Sequence, residues 1–256
     1  MQRMETILLA NQPGTLAFIA AVFILAGTVK GVVGLGLPTV AVGLLGLVMA
    51  PREAAALLVV PSLVTNLWQL AAGPAIGPMS HRLWPMLAGI VAGTLAGGAL
   101  LPAMGSTWAV ALLGIALICY AISGLCAFKL NVQRESEPIA GPLVGVLTGI
   151  VTAATGVFVI PAVPYLAGLR LARDELVQAL GLAFTASTCA LALSLWRAGA
   201  MPLHAAGASL LALAPALAGM WLGQRLRTRI SPQLFRRCFF VGLLGLGLHL
   251  SVRPFI

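Results

Sequence analysis

Between residues 14 and 252 the sequence passes through one apolar segment after another, and the charged side chains fall in the gaps between them or near segment ends. Stretches such as residues 16–29 and 87–101 are apolar on every side, so a helix built from them has no face to offer to water. Of the 256 residues 60% are hydrophobic and only 8% are charged, against about 25% in a soluble domain. A mean hydropathy of +1.05 excludes disorder as well, because a disordered chain needs low hydrophobicity and dense charge. A membrane β-barrel would show segments of about ten residues alternating apolar and polar, and none is found here. The chain is therefore expected to be an all-α integral membrane protein, and at ~20 residues per span it leaves no room for a soluble domain.

The apolar segments cover approximately residues 14–30, 34–50, 53–73, 82–103 and 107–128, then 139–155, 157–169, 173–196, 202–223 and 233–252. Residues 129–138 (KLNVQRESEP) form the most polar stretch and separate the two sets of five. The expected organisation is an N-terminal membrane repeat over 1–128, a linker over 129–138 and a C-terminal membrane repeat over 139–256. Shifting the sequence by 122 residues brings Gly27 onto Gly149, Gly34 onto Gly156, Gly46 onto Gly168, Ala50 onto Ala172 and Glu53 onto Glu175. Further along, Gly77 meets Gly199, and Leu95, Ala96 and Gly97 meet Leu217, Ala218 and Gly219. Such an internal match is the mark of a structural repeat.

Charge decides how the repeats are oriented. If each repeat's first two segments form one broken span, the 14 Lys and Arg residues other than Lys30 divide 8 to 6 between the two sides. If the pair instead crosses and returns, one side collects Arg82, Lys129, Arg134, Arg170, Arg173, Arg225, Arg227, Arg229, Arg236 and Arg237. The other side keeps Arg3, Arg52, Arg197 and Arg253. The excess of Lys and Arg on cytoplasmic loops favours the second arrangement. It puts the linker in the cytoplasm and both termini in the periplasm, and it makes the fold two inverted five-segment repeats with Gly/Pro-broken helices, about ten transmembrane segments with some of half length. The +9 net charge is thus read as membrane topology and not as a nucleic-acid surface. Residues 1–13 are polar and no small-x-small cleavage site follows the next apolar run, which points to an uncleaved first helix. Cys119, Cys126, Cys189 and Cys238 form no CxxC pair and are read as small packing residues.

The segment Gly27-Thr-Val-Lys-Gly-Val-Val-Gly-Leu-Gly-Leu-Pro38 puts four glycines and a proline within twelve residues. It must break a helix, and inside lipid the freed N–H groups need partners. A half-helix starting there offers N–H donors and partial positive charge to an anion. Lys30 adds a full cation, and Gly31, Gly34 and Gly36 would let the ligand approach. The competing reading is that the glycines serve close helix packing and that Lys30 snorkels to the surface. In the second half Thr148, Thr152, Thr155 and Gly156 precede Val157, Pro161 and Pro164, so the matching break is lined by hydroxyls. The 13 residues of 157–169 are too few to span ~30 Å at 1.5 Å per residue. The two breaks are expected to converge on one site. Ser62, Thr65, Asn66 and Gln69, at helical spacings, share one face; they stand opposite Thr185, Ser187 and Thr188 of the second half. Such a face is either interhelical glue or a substrate wall. Trp68, Trp196 and Tyr165 are read as interfacial anchors before ligand-stacking groups.

Glu5, Glu53, Glu135, Glu137, Asp174 and Glu175 all sit in loops or at segment ends, so a carboxylate proton relay lacks its parts. HExxH, GxSxG and paired aspartates are absent, which argues against an intramembrane enzyme and implies no metal or other cofactor. An anion leaving an inside-negative cell gains about 2.3 kcal/mol per charge per 100 mV, which favours export without a coupling ion.

The Lys30-Gly-Val-Val-Gly-Leu-Gly-Leu-Pro38 break, followed by Arg52-Glu53-Ala54-Ala55 and by the polar-faced helix from Ser62 to Asn66, resembles the TauE/SafE sulfite exporter family, also called the 4-toluene sulfonate uptake permeases. The resemblance extends over essentially the whole chain. It implies a bacterial inner-membrane transporter whose partners are the lipid bilayer and a small organosulfur anion such as sulfite, sulfoacetate or another sulfonate. The break carries fewer consecutive glycines than many members, and Thr155-Gly156-Val157-Phe158 stands where another glycine-rich run is often found. The expected substrate-binding residues are Lys30, Gly31, Gly34, Gly36, Thr65, Asn66, Gln69, Thr152, Thr155, Gly156, Thr185 and Thr188. The alternative is an assembly or channel subunit without its own transport cycle. Small-residue spacings such as Gly93-x-x-x-Gly97 also allow a homodimer.

Overall fold

The computed structural model describes residues 13–74, 76–100, 107–126, 131–201 and 203–255. Among these residues the fold is all helical, with ten α-helices and two short 3-10 turns. They are α1 (Pro13–Val33), α2 (Leu37–Leu45), α3 (Pro51–Ala71), α4 (Ile76–Leu100), α5 (Thr107–Leu125), α6 (Glu137–Thr155), α7 (Ala162–Gly168), α8 (Arg173–Arg197), α9 (Leu203–Leu226) and α10 (Pro232–Val252). Eight are long and apolar enough to cross a membrane. The exceptions are α2, with 9 residues, and α7, with 7. Each short helix is second in its half, so both halves run long, short, long, long, long.

The glycines that match under the 122-residue shift do the same work in both halves. α1 ends where Gly34 turns to φ +80°, and α6 ends where Gly156 turns to φ +74°, values that cost a residue with a Cβ about 1 kcal/mol or more. After Gly34 the chain turns again at Gly36 and enters α2 with Pro38 in its first turn. After Gly156, residues 157–159 take no regular secondary structure, residues 160–161 form a turn, and α7 begins only at Ala162. The second half-helix is thus shorter than the whole apolar segment 157–169, because its first residues are spent on this connection. The Glu pair is equivalent too. Glu53 accepts the Ala50 N–H at 3.3 Å and Glu175 accepts the Ala172 N–H at 2.9 Å, each capping the start of a long helix.

Contacts along each interface fix the direction of every helix. In α1 and α9, Gly27 faces Ala216 and Met220 while Gly31 faces Met220 and Gly223, so the two run the same way. In α4 and α6, Gly89 faces Pro142 and Gly97 faces Ile150 and Ala153, so these are also parallel. α3 and α8 are antiparallel, since Arg52 donates to the Ala198 carbonyl at one end and Gln69 to the Val177 carbonyl at the other. α5 and α10 are antiparallel as well, with Gly114 against Ser251 and Gly124 against Phe240. Each half thereby packs its fourth helix on the first and third helices of the other half. Following these directions, α1 starts at one end of the bundle, α2 carries the chain back to that end for the start of α3, and residues 131–136 lie at the opposite end. The second half repeats the path from the linker end back to the first. α1 and α6 therefore run in opposite directions.

The parallel pairs depend on missing side chains. A Cβ on Gly31 would sit 2.3 Å from the Met220 carbonyl oxygen, and one on Gly93 would sit 2.3 Å from that of Val146. Such small-residue contact lets backbones approach where lipid supplies no hydrophobic drive. The outer surface is apolar, with Leu211 and Ile139 both largely exposed. Cys119, Cys126, Cys189 and Cys238 lie on that exposed surface and not in the packed interior, because the helix-contact positions are taken by glycine and alanine.

Among the described residues, Arg134, Arg170, Arg173, Arg225, Arg227, Arg229, Arg236 and Arg237 lie at the linker end, as does Arg82 in the second turn of α4. Arg52, Arg197 and Arg253 lie at the other end. Lys30 belongs to neither.

Candidate functional site

α1 carries Lys30 in its last turn because the helix runs on until Gly34 can close it; the Gly34 N–H donates to the Lys30 carbonyl at 2.7 Å. The Lys30 side chain is 5% exposed and reaches across to α3. Its ammonium donates to Thr65 Oγ1 at 3.0 Å and to Asn66 Oδ1. Asn66 Nδ2 in turn donates to Ser62 Oγ at 3.1 Å and to Thr188 Oγ1 of α8 at 3.3 Å. Ser62 and Thr188 are themselves 3.3 Å apart. Thr188 Oγ1 gives its own hydrogen to the Phe184 carbonyl, at 2.7 Å, so Ser62 is the donor between the two hydroxyls. Thr65 likewise gives its hydrogen to the Pro61 carbonyl, at 2.7 Å, which leaves its lone pairs for Lys30.

This network has one direction: every acceptor facing Lys30 is neutral, and two of its three N–H donors are used. Among the described residues Lys30 is the one buried side chain that carries a formal charge, and the ion pair they contain is elsewhere, between Arg82 and Glu137. A buried charge normally has an ionic partner, since removing it from water costs several kcal/mol.

Pro61 shapes the wall beside the cluster. Lacking an N–H, it leaves the Leu57 carbonyl of α3 without its helical partner, and Ser209 of α9 supplies one at 2.9 Å while accepting the Val60 N–H at 3.0 Å. Ser209 is fully buried. A lone serine in an apolar helix carries no periodic signal, and only the proline at 61 hints that some donor must come to α3.

The structure brings Lys30, Thr65, Asn66 and Thr188 together and adds Ser62. The other expected residues lie outside this cluster. Thr152 and Thr155 are buried on α6, but they donate to the Thr148 and Val151 carbonyls of their own helix, each at 2.7 Å. Thr185 does the same to Gly181, at 2.7 Å. Gln69 and Gln178 cross between α3 and α8, Gln69 Nε2 donating to Val177 and Gln178 Nε2 to Leu70. Gly31 turns its open face to α9 and serves helix packing, while Gly36 packs beside Val29 and Phe239. Open space surrounds the position of a Gly34 side chain.

The two breaks do not meet at one point. Gly156 rests against Val42 and Ala55, and Ala55 lies 11 residues before Asn66 in α3, about 16 Å at 1.5 Å per residue. The Lys30 cluster therefore sits by the first break, and the second lies at a different depth. The reason is that the halves are inverted: a break late in α1 lies toward the linker end, and its counterpart late in α6 lies toward the other. Trp68 and Trp196, at 69% and 68% exposed, face outward as expected of interfacial anchors.

A second polar feature, a cavity of about 480 Å³, opens at the linker end, lined by His81, Arg82, Arg134, Glu137 and Glu175 among others. Its charges are largely satisfied already. Arg82 forms a bidentate pair with Glu137 at 2.8 and 2.5 Å, and Glu175 caps α8. Among the described residues no three His, Cys, Asp or Glu side chains converge as metal ligands would.

The profile of the sulfite exporter TauE/SafE family matches residues 19–250, nearly the whole chain. The chain belongs to that family. No curated protein and no solved structure matches it. Membership of TauE/SafE together with eight membrane-length apolar helices makes this a multi-pass membrane protein of a transporter family.

Proposed function

We propose that the protein is a secondary transporter that exports a sulfur-containing anion, a sulfonate or sulfite, by alternating access. The observation that carries this reading is Lys30, a buried ammonium held, among the described residues, only by the neutral acceptors of Thr65 and Asn66. An anion supplies the charge this site lacks, and a sulfonate head presents acceptor oxygens to the ammonium and to the Asn66 amide and Ser62 hydroxyl donors.

In this reading the anion displaces Thr65 and Asn66 from the ammonium. Those bonds tie α1, packed on α9, to α3, packed on α8, so their exchange alters the link between two helix pairs. The cavity at the linker end serves as the aqueous approach from inside. The proposed location is the bacterial inner membrane with the linker cytoplasmic and both ends of the chain periplasmic, because Arg side chains crowd the linker end.

The test is efflux of a labelled sulfonate from proteoliposomes. The proposal requires saturable, protein-dependent flux that Lys30→Ala abolishes while leaving reconstitution intact. Equal flux in the variant and the native protein would refute it.

A further inference from the structure

The corner between α9 and α10 holds the densest positive charge in the chain. Arg225, Arg227, Arg229, Arg236 and Arg237 fall within 13 residues, and no Asp or Glu occurs between Leu176 and Ile256. All five are exposed, and among the described residues none of their guanidinium groups has a hydrogen-bond or ion-pair partner. The rule that Lys and Arg gather on one side of a membrane accounts for their number, but not for where they stand. The Arg225 guanidinium lies 4.3 Å over the ring of Trp221, which is 55% exposed. Leu217, Trp221 and Arg225 recur every four residues and form one exposed stripe on α9; Leu234, Arg237, Val241 and Leu248 form another on α10, at spacings of 3, 4 and 7. Because α9 packs on α1 and α3 while α10 packs on α5, both stripes stay uncovered. The connection is an ordered turn, in which Thr228 Oγ1 donates to the Arg225 carbonyl and the Arg229 N–H to the Leu226 carbonyl. Trp221 lies five residues before the end of α9 and Arg237 five after the start of α10, each about 7.5 Å along its helix. A tryptophan at this position sits at headgroup level, so the guanidinium stacked on it is at the depth of the lipid phosphates. Stacking occupies the face of the guanidinium and leaves its in-plane N–H donors free.

We propose that this corner is a binding site for one anionic phospholipid, with its phosphodiester held by Arg225 and Arg237 and its acyl chains lying along the two stripes. The site is separate from Lys30 and does not depend on the reading of that residue. Guanidinium forks match phosphate oxygens bidentately. The ammonium of a zwitterionic headgroup would meet five like charges and no carboxylate in this part of the chain. Phosphatidylglycerol, whose headgroup carries no cation, has the chemistry that fits.

The test is native mass spectrometry of the full chain in detergent micelles, titrated with dioleoyl phosphatidylglycerol, dioleoyl phosphatidylethanolamine or glycerol 3-phosphate. The expected result is one phosphatidylglycerol bound at least ~10-fold more tightly than either of the others. Arg225→Ala combined with Arg237→Ala should weaken phosphatidylglycerol by ~10-fold or more, while Arg170→Ala combined with Arg173→Ala, which removes the same charge from the same end, should change it by less than ~2-fold. Equal affinity for the two lipids, or equal losses in the two double variants, would reduce the corner to general surface charge and overturn the proposal. Glycerol 3-phosphate binding as tightly as the lipid would overturn it in favour of a soluble anion. Since removing arginines can disturb membrane insertion, a second measurement leaves them in place. Phosphatidylglycerol with brominated chains should quench tryptophan fluorescence more than the brominated ethanolamine lipid does, and Trp221→Phe should remove that excess. An excess that survives in Trp221→Phe would place the lipid elsewhere and refute the assignment.

Discussion

Replacing Lys30 by methionine separates the proposed role of this residue from a structural one. The change keeps an unbranched chain of similar length in the same channel between α1 and α3 and removes the ammonium. In the empty protein two effects oppose each other. Taking away a buried charge relieves a desolvation penalty, while Asn66 Oδ1 loses its donor, at a cost of about 1–3 kcal/mol. The variant should therefore fold with a stability within ~2 kcal/mol of the native protein. Binding has no such compensation. An anion entering the cluster would find neutral dipoles only, and losing one partner of a buried pair costs about 3–5 kcal/mol, or ~100- to 1000-fold and more in Kd. Calorimetric titration with ethanesulfonate, beside a melting curve without ligand, measures both quantities. Arg52→Ala is the control, because Arg52 only ties α3 to the Ala198 carbonyl at the far end of the bundle; its effect on Kd should stay below ~3-fold. An affinity loss under ~10-fold for Lys30→Met, or equal losses for the two variants, would show that the ammonium does not face the anion.

Other positions give independent checks. Asn66→Asp places a carboxylate beside the ammonium, so it should raise the melting temperature in the absence of ligand and lower sulfonate affinity by ~10-fold or more, because the site then carries its own counter-ion; unchanged affinity would contradict the charge argument. Ser209→Ala leaves the Leu57 carbonyl without the donor that replaces its helical partner, and should cost about 1–3 kcal/mol in denaturant unfolding; a neutral result would mean that Pro61 is accommodated in some other way. Gly31→Ala and Gly34→Ala should differ in kind. The first drives a methyl to 2.3 Å from the Met220 carbonyl oxygen and should sharply lower the yield of folded protein. The second meets open space at φ +80° and should cost only about 1 kcal/mol.

Much of this architecture can be read in the sequence, for physical reasons that differ from residue to residue. Apolar segments without charge must become helices in lipid, and Gly34 and Gly156 mark their ends because each takes a backbone conformation that other residues resist. Glu53 and Glu175 mark helix starts because an N–H there needs a local acceptor. The spacing of Ser62, Thr65 and Asn66 predicts a shared face, and that face holds Lys30. Three things are not legible. Depth is one: a shift of 122 residues says that the two breaks correspond, but inversion of the halves carries them to different levels. The direction in which a hydroxyl points is another. Thr152, Thr155 and Thr185 satisfy themselves on the carbonyl four residues back, a competition that sequence alone does not resolve. Neighbour identity is the third. Gly31 lies one residue from Lys30 but faces α9, and Ser209 matters only because a proline 148 residues earlier leaves the carbonyl of Leu57 bare.

The most direct test of the anion site is to locate a heavy-atom analogue, 2-bromoethanesulfonate, in crystals of the native protein by the anomalous signal of its bromine. The sulfonate should lie against Lys30 Nζ with Thr65 and Asn66 drawn away from it, and the bromine should occupy the space between α1, α3 and α8. A bromine peak confined to the cavity of His81, Arg82 and Arg134, with the Lys30 hydrogen bonds undisturbed, would contradict the account.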